Sequence, residues 1–132
     1  MTRTIYSSGS PWEVIVGYSR VVRTGNIIEV AGTTATDNNT VIGINDYYLQ
    51  TQFIFQKIEK CLKEAGASMQ DVTRTRMFVC DISKWEEVGR AHAEFFKTIK
   101  PVATMVEVSR LISSELLVEI EVTAVISDKC KV

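Results

Sequence analysis

The chain holds one histidine, two prolines and three cysteines among its 132 residues. One histidine and scattered thiols do not give the ligand spacing of a metal site, so no metal is expected. Cys61, Cys80 and Cys130 are odd in number and widely spaced, which is no disulfide framework. They are expected to remain thiols in a reducing compartment. An excess of one charge is also missing: fifteen basic residues face sixteen acidic ones, for a net charge of −1. Nucleic-acid binding calls for a basic face or stripe, so none is expected. No apolar run approaches the roughly 20 residues that cross a bilayer. The start, Met1-Thr2-Arg3-Thr4-Ile5, has no signal-peptide apolar region. The expectation is a cytoplasmic protein with no membrane partner. Neither a serine–histidine–acid arrangement nor a phosphate-cradling glycine loop is visible.

What is present is ordinary globular composition, 45% hydrophobic and 23% charged, in a length that suits one domain over 1–132. Residues 2–7 suggest a short strand. Tyr18 to Arg23 and Ile27 to Ala31 are β-rich runs joined through Thr24-Gly25-Asn26, which reads as a hairpin. Residues 36–46 are polar and read as a loop. From Asp46 to Ala65 the helical period places Ile54, Ile58, Cys61, Leu62 and Ala65 on one face, with Gly66 placed to end the helix. Val72 to Cys80 alternates as a strand. Ser83-Lys84-Trp85-Glu86 matches a capping box, and the helix it opens carries Trp85, Val88, Phe95, Phe96 and Ile99 on one stripe until Pro101. Val102 to Val108 and Leu116 to Ser127 are the last strands. The order predicts an α+β fold, a mixed β-sheet with two helices packed on one face. The other sheet face then needs a cover, and oligomerisation is the simplest one.

Several short segments occur in a recognisable order: Gly17-Tyr18-Ser19, Gly25-Asn26-Ile27-Ile28 with Ala31-Gly32-Thr33, Phe78 to Ile82, Glu94-Phe95-Phe96, Pro101 to Leu111, and Val118-Glu119-Ile120-Glu121. Together they span nearly the whole chain and resemble the reactive-intermediate deaminase (Rid, YjgF-like) family. The resemblance implies a chorismate-mutase-like homotrimer with a small-molecule cleft at each subunit interface. It also implies cofactor-free hydrolysis of 2-imino acids to 2-keto acids and ammonia. In the deaminase branch an arginine, third in a Pro-x-Arg-Ser/Thr segment, holds the substrate carboxylate, and a strand glutamate helps place the attacking water. Here Pro101-Val102-Ala103-Thr104 puts Ala103 where that arginine belongs, Met105 stands where cysteine is common, and Glu119 matches the glutamate. A guanidinium grips a carboxylate through a fork of charge-assisted hydrogen bonds, and alanine offers none. The resemblance therefore points to a divergent branch that binds a small metabolite, with standard deaminase activity weak or absent. The alternatives are an imine or enamine hydrolase in which Arg20, Arg76 or Arg90 substitutes, and, less favoured, a translation-inhibitor or endoribonuclease-type protein.

Each candidate also has a plainer reading. Glu119 is either a water-positioning group or a strand carboxylate paired with an arginine; Arg74, Arg76, Glu107 and Glu121 offer such pairs. Tyr18 is a half-buried aromatic or a cleft border, and Ser19, Gly32 and Thr33 follow from the same resemblance. Trp12 and Glu13 are a recognition pair or a rim contact. His92, near the apolar stripe of its helix, is expected to be a satisfied, half-buried side chain rather than a base.

Overall fold

A computed structural model describes residues 1–127; Cys130 lies outside them. The chain runs β1 (Arg3–Tyr6), α1 (Pro11–Val16), β2 (Val21–Thr24), β3 (Ile27–Thr34), β4 (Thr36–Asp37), β5 (Thr40–Val41), α2 (Tyr47–Glu64), β6 (Val72–Val79), α3 (Trp85–Phe96), β7 (Val102–Glu107) and β8 (Val118–Val125). Six strands form one mixed sheet in the order β1-β2-β3-β8-β6-β7, in which only β6 and β7 pair in parallel. The helices α2 and α3 pack on each other, and α2 covers β3 and β8. This is the expected α+β architecture.

Alternation sets which face is buried. Along β8, Val118, Ile120, Val122 and Ala124 are buried while Glu119, Glu121 and Thr123 stay half-exposed. Ile54, Phe55, Ile58 and Leu62 of α2 meet that buried face at 0% exposure. Burying each such side chain contributes about 1.5–3 kcal/mol, so this seam carries the fold. The opposite face has no second layer among the described residues. It carries Arg76 Nη1 and Glu121 Oε1 at 3.3 Å, the cross-strand ion pair the sequence suggested.

Four local expectations need correction. The strand after Tyr18 begins only at Val21. Residues 36–46 are not all loop: β4 and β5 form a two-residue ribbon turned by Asn38 and Asn39 at φ 48° and 71°. Asparagine tolerates positive φ, so a primed turn forms where polarity alone suggested coil. The Ser83 capping box does not form, because the Ser83 hydroxyl donates to Asp81 Oδ1 at 2.7 Å and leaves α3 without a side-chain cap. Trp85 leaves the apolar stripe and stands 56% exposed. Helix α1 was missed. Its signals were legible: Ser10 accepts from Trp12 N–H at 3.3 Å, Pro11 opens the first turn, and Gly17 closes the last at φ 88°.

Candidate functional site

A cleft of about 940 Å³ lies between α1 with its preceding loop, the far end of β3, the β4–β5 ribbon and Glu119 of β8. Trp12, Glu13, Tyr18, Arg20, Gly32, Lys57 and Glu119 all line it. Five residues singled out from sequence, namely Trp12, Glu13, Tyr18, Gly32 and Glu119, therefore share one surface, joined by Arg20.

Two features bring Glu119 there. Its strand pairs with β3 at Thr34, and the β3–β8 register slips between Val30 and Thr33. That bulge lets Gly32 pass directly beneath the carboxylate. A Cβ on Gly32 would lie 3.1 Å from Glu119 Cδ and closer still to Oε2. Only glycine leaves the carboxylate where it is. Glu119 makes no hydrogen bond and no ion pair among the described residues. Burial holds its carboxyl above the usual carboxylate range; Arg20 opposes that rise and Glu121 adds to it. A half-buried, unpaired carboxyl with a raised pKa holds its proton more readily than a free one and is suited to proton transfer.

Arg20 lies across the strand end from Glu119. Its Nη1 donates to Thr33 Oγ1 at 3.2 Å and its Nη2 to the Gly32 carbonyl at 3.0 Å. Each Nη carries a second hydrogen, so the fork retains donors for a ligand. Arg20 Nε and Glu13 Oε1 are buried without a partner among the described residues, and both residues line the cleft. Glu13 is 6% exposed, and its other carboxylate oxygen accepts from the Ser8 N–H and hydroxyl. Trp12 and Tyr18 are 56% and 39% exposed and wall the mouth. Lys57 was missed by sequence reasoning. Its signal was a lysine at i+3 from Ile54 and i−4 from Cys61, inside the apolar face of α2.

The remaining candidates lie elsewhere. Thr33 is fully buried and its hydroxyl donates to the Ala31 carbonyl at 2.8 Å, so it braces Arg20 rather than facing the cleft. Ser19 lines a shallow depression of about 370 Å³ on the open sheet face, with Arg76 and Glu121. Ala103 and Met105 register with Thr75 and Met77, whose side chains are buried on the helix-covered face. Glu119 registers with Phe78 on the opposite face, with β6 between. Within one chain Ala103 and Met105 therefore do not meet Glu119. Arg76 is engaged with Glu121, and Arg90 stacks over Tyr48 at 4.2 Å; neither lines the cleft. His92 Nε2 is 2.9 Å from Thr75 Oγ1, and burial pushes its pKa down, so it is a satisfied, neutral side chain. No group of three metal-ligating residues occurs among the described residues, and no helix among them is long and apolar enough to cross a membrane.

A six-stranded mixed sheet with its helices on one face is the α+β fold of YjgF-family structures. The chain belongs to the endoribonuclease L-PSP (YjgF/Rid) family, whose model matches residues 8–126. A structure of a YjgF/YER057c/UK114 family member from Mycobacterium tuberculosis superposes with a TM-score of 0.86 at 49% identity, covering 95% of this chain and all of that one. An uncharacterized protein of Streptomyces coelicolor is 39% identical over 117 residues, 89% of this chain and 87% of its own. The 3-aminoacrylate deaminase RutC of Acinetobacter baylyi is 30% identical over 117 residues, 88% of this chain and 91% of its own.

Proposed function

We propose that the cleft is the active site of an imine or enamine deaminase, with Arg20 in place of the family arginine lost at Ala103. The observation that carries this is the meeting of Glu119, unpaired and raised in pKa, with Arg20 in one cleft. From the sequence alone, a binding protein with weak or absent deamination was favoured. A cleft lined by Glu119 and an arginine favours the enzyme instead. Arg20 holds the substrate carboxylate through its free N–H groups. The ionised Glu119 accepts a proton from water as that water adds to the imine carbon. It then returns a proton to the nitrogen of the tetrahedral carbinolamine. Starting from the protonated imine, the C–N bond of the resulting ammonium breaks as the hydroxyl proton passes back to Glu119, giving a 2-keto acid and ammonia with no change of oxidation state. The similarity to a 3-aminoacrylate deaminase supports the same reaction class.

The unit is a homotrimer in this proposal, and a neighbour's β7 edge brings its Ala103 and Met105 to the open side of each cleft. Exposed Val14, Ile15, Val16, Val102 and Ile112 on the chain's surface support such contacts. Freshly generated 2-aminoacrylate and 3-aminoacrylate, with ammonia release followed, test the reaction. Acceleration over buffer that is lost in Glu119→Gln is expected. A well-folded wild type that does not accelerate either substrate returns the protein to the binding class. That reading has its own support: Gly32 and Thr33 already take part of the Arg20 fork.

A further inference from the structure

Lys57 lines the same cleft, and the chemistry above leaves it without a task. Its Nζ donates to the carbonyls of Thr34 at 3.0 Å and Thr36 at 2.8 Å. An ammonium has three donors, so one remains without a partner among the described residues. Burial presses its pKa down, and the charge of Arg20 presses in the same direction. Two half-buried cations therefore feel each other here. Neither takes part in any of the ion pairs among the described residues, which are Lys63–Glu59, Arg76–Glu121 and Lys84–Glu87. The acids of the cleft are otherwise placed. Glu13 is bonded to Ser8, Asp37 is exposed, and Glu119 is committed to the reacting carbon.

The backbone holds both cations on one strand. Arg20 hangs on the Gly32 carbonyl and Lys57 on the Thr34 carbonyl, two residues further along β3. Carbonyls two residues apart on an extended strand are about 6.6 Å apart. A carboxylate has two oxygens, so it offers one charge-assisted hydrogen bond of about 2.8 Å to each cation. An anion between the two cations also relieves their repulsion, which Asp37 near Lys57 and Glu119 near Arg20 ease only through space, without an ion pair among the described residues.

We propose that Lys57 and Arg20 together form the carboxylate subsite of the cleft, and that Lys57 makes it select a small 2-oxo or 2-imino monocarboxylate over the neutral amide. The substrate class rests on the deaminase reading; the subsite itself needs no turnover. The test is a ligand-detected NMR titration of the full chain with pyruvate and with pyruvamide. Wild type should prefer pyruvate. Lys57→Gln should shrink that preference about tenfold, the loss of one hydrogen bond to a charged group. Lys57→Arg should keep most of it. A ratio measured within one variant does not depend on how much of it is folded, which matters because Lys57 also ties two carbonyls. Equal binding of the two probes by wild type, or an unchanged ratio in Lys57→Gln, overturns the subsite. Parallel turnover of 2-aminoacrylate separates the two ideas. A silent wild type with Lys57-dependent selectivity refutes deamination and keeps the subsite. An active enzyme whose KM and selectivity ignore Lys57→Gln does the reverse.

Discussion

Replacing Gly32 by alanine perturbs the reaction centre through a single methyl group. The added Cβ would lie 3.1 Å from Glu119 Cδ and 3.4 Å from Cγ, with the oxygen Oε2 well inside contact distance. The carboxylate must retreat by about 1 Å to restore ordinary contact. The backbone does not object, since Gly32 is not among the positive-φ residues. Alanine at a compatible glycine position stiffens the unfolded chain and stabilises by about 0.4–1 kcal/mol, which offsets the cost of turning one flexible side chain. Stability should therefore stay within about 1 kcal/mol of wild type. Catalysis is less forgiving, because a misplacement of about 1 Å at a reacting group costs on the order of 100-fold. The assay is kcat for ammonia release from 2-aminoacrylate beside a urea denaturation curve. A Gly32→Ala protein that is equally stable and fully active would refute the placement of Glu119 as the proton-transfer group. A protein that loses both would show that Gly32 serves the fold rather than the site.

Further outcomes follow from the same geometry. The folded state raises the Glu119 pKa, so this group contributes stability below the ordinary glutamate value that is lost as pH rises through the raised one. Glu119→Gln should thus be more stable than wild type at about pH 8, and the difference should vanish near pH 4, read as Tm against pH. A variant less stable at both values would contradict the burial argument. Arg20→Gln should lower kcat/KM by roughly 10- to 100-fold, while Ala103→Arg changes it by less than about tenfold. The opposite ranking would return the anchor to position 103. Light scattering at micromolar concentration should give three times the chain mass; a monomer would sink the shared cleft.

The sequence by itself determined the framework. Alternating Val118, Ile120 and Val122 and the periodic Ile54, Ile58 and Leu62 allow only one apolar face per element, which fixes a sheet with helices on one side. The ordered family segments located Glu119 and the missing arginine at Ala103, because those signals are local in the chain. Tertiary structure alone decided what surrounds them. Arg20 was one of three possible substitutes until the β3 bulge carried Gly32 and Thr33 to its guanidinium, while β6–β8 pairing set Arg76 against Glu121 and α2–α3 packing set Arg90 over Tyr48. Thr33 looked like a ligand contact and became a buried brace, since alternation past a bulge no longer follows from counting residues. Lys57 showed only as a flaw in an apolar stripe. Its place in the cleft depends on carbonyls of Thr34 and Thr36 that lie 23 and 21 residues away in the chain. Ala103 and Glu119 come from the two ends of one signature, yet they register with Thr75 and Phe78 of β6, which face opposite sides of the sheet. A residue's neighbours along the chain determine its face, but its partners in a site depend on which distant strands pair beside it.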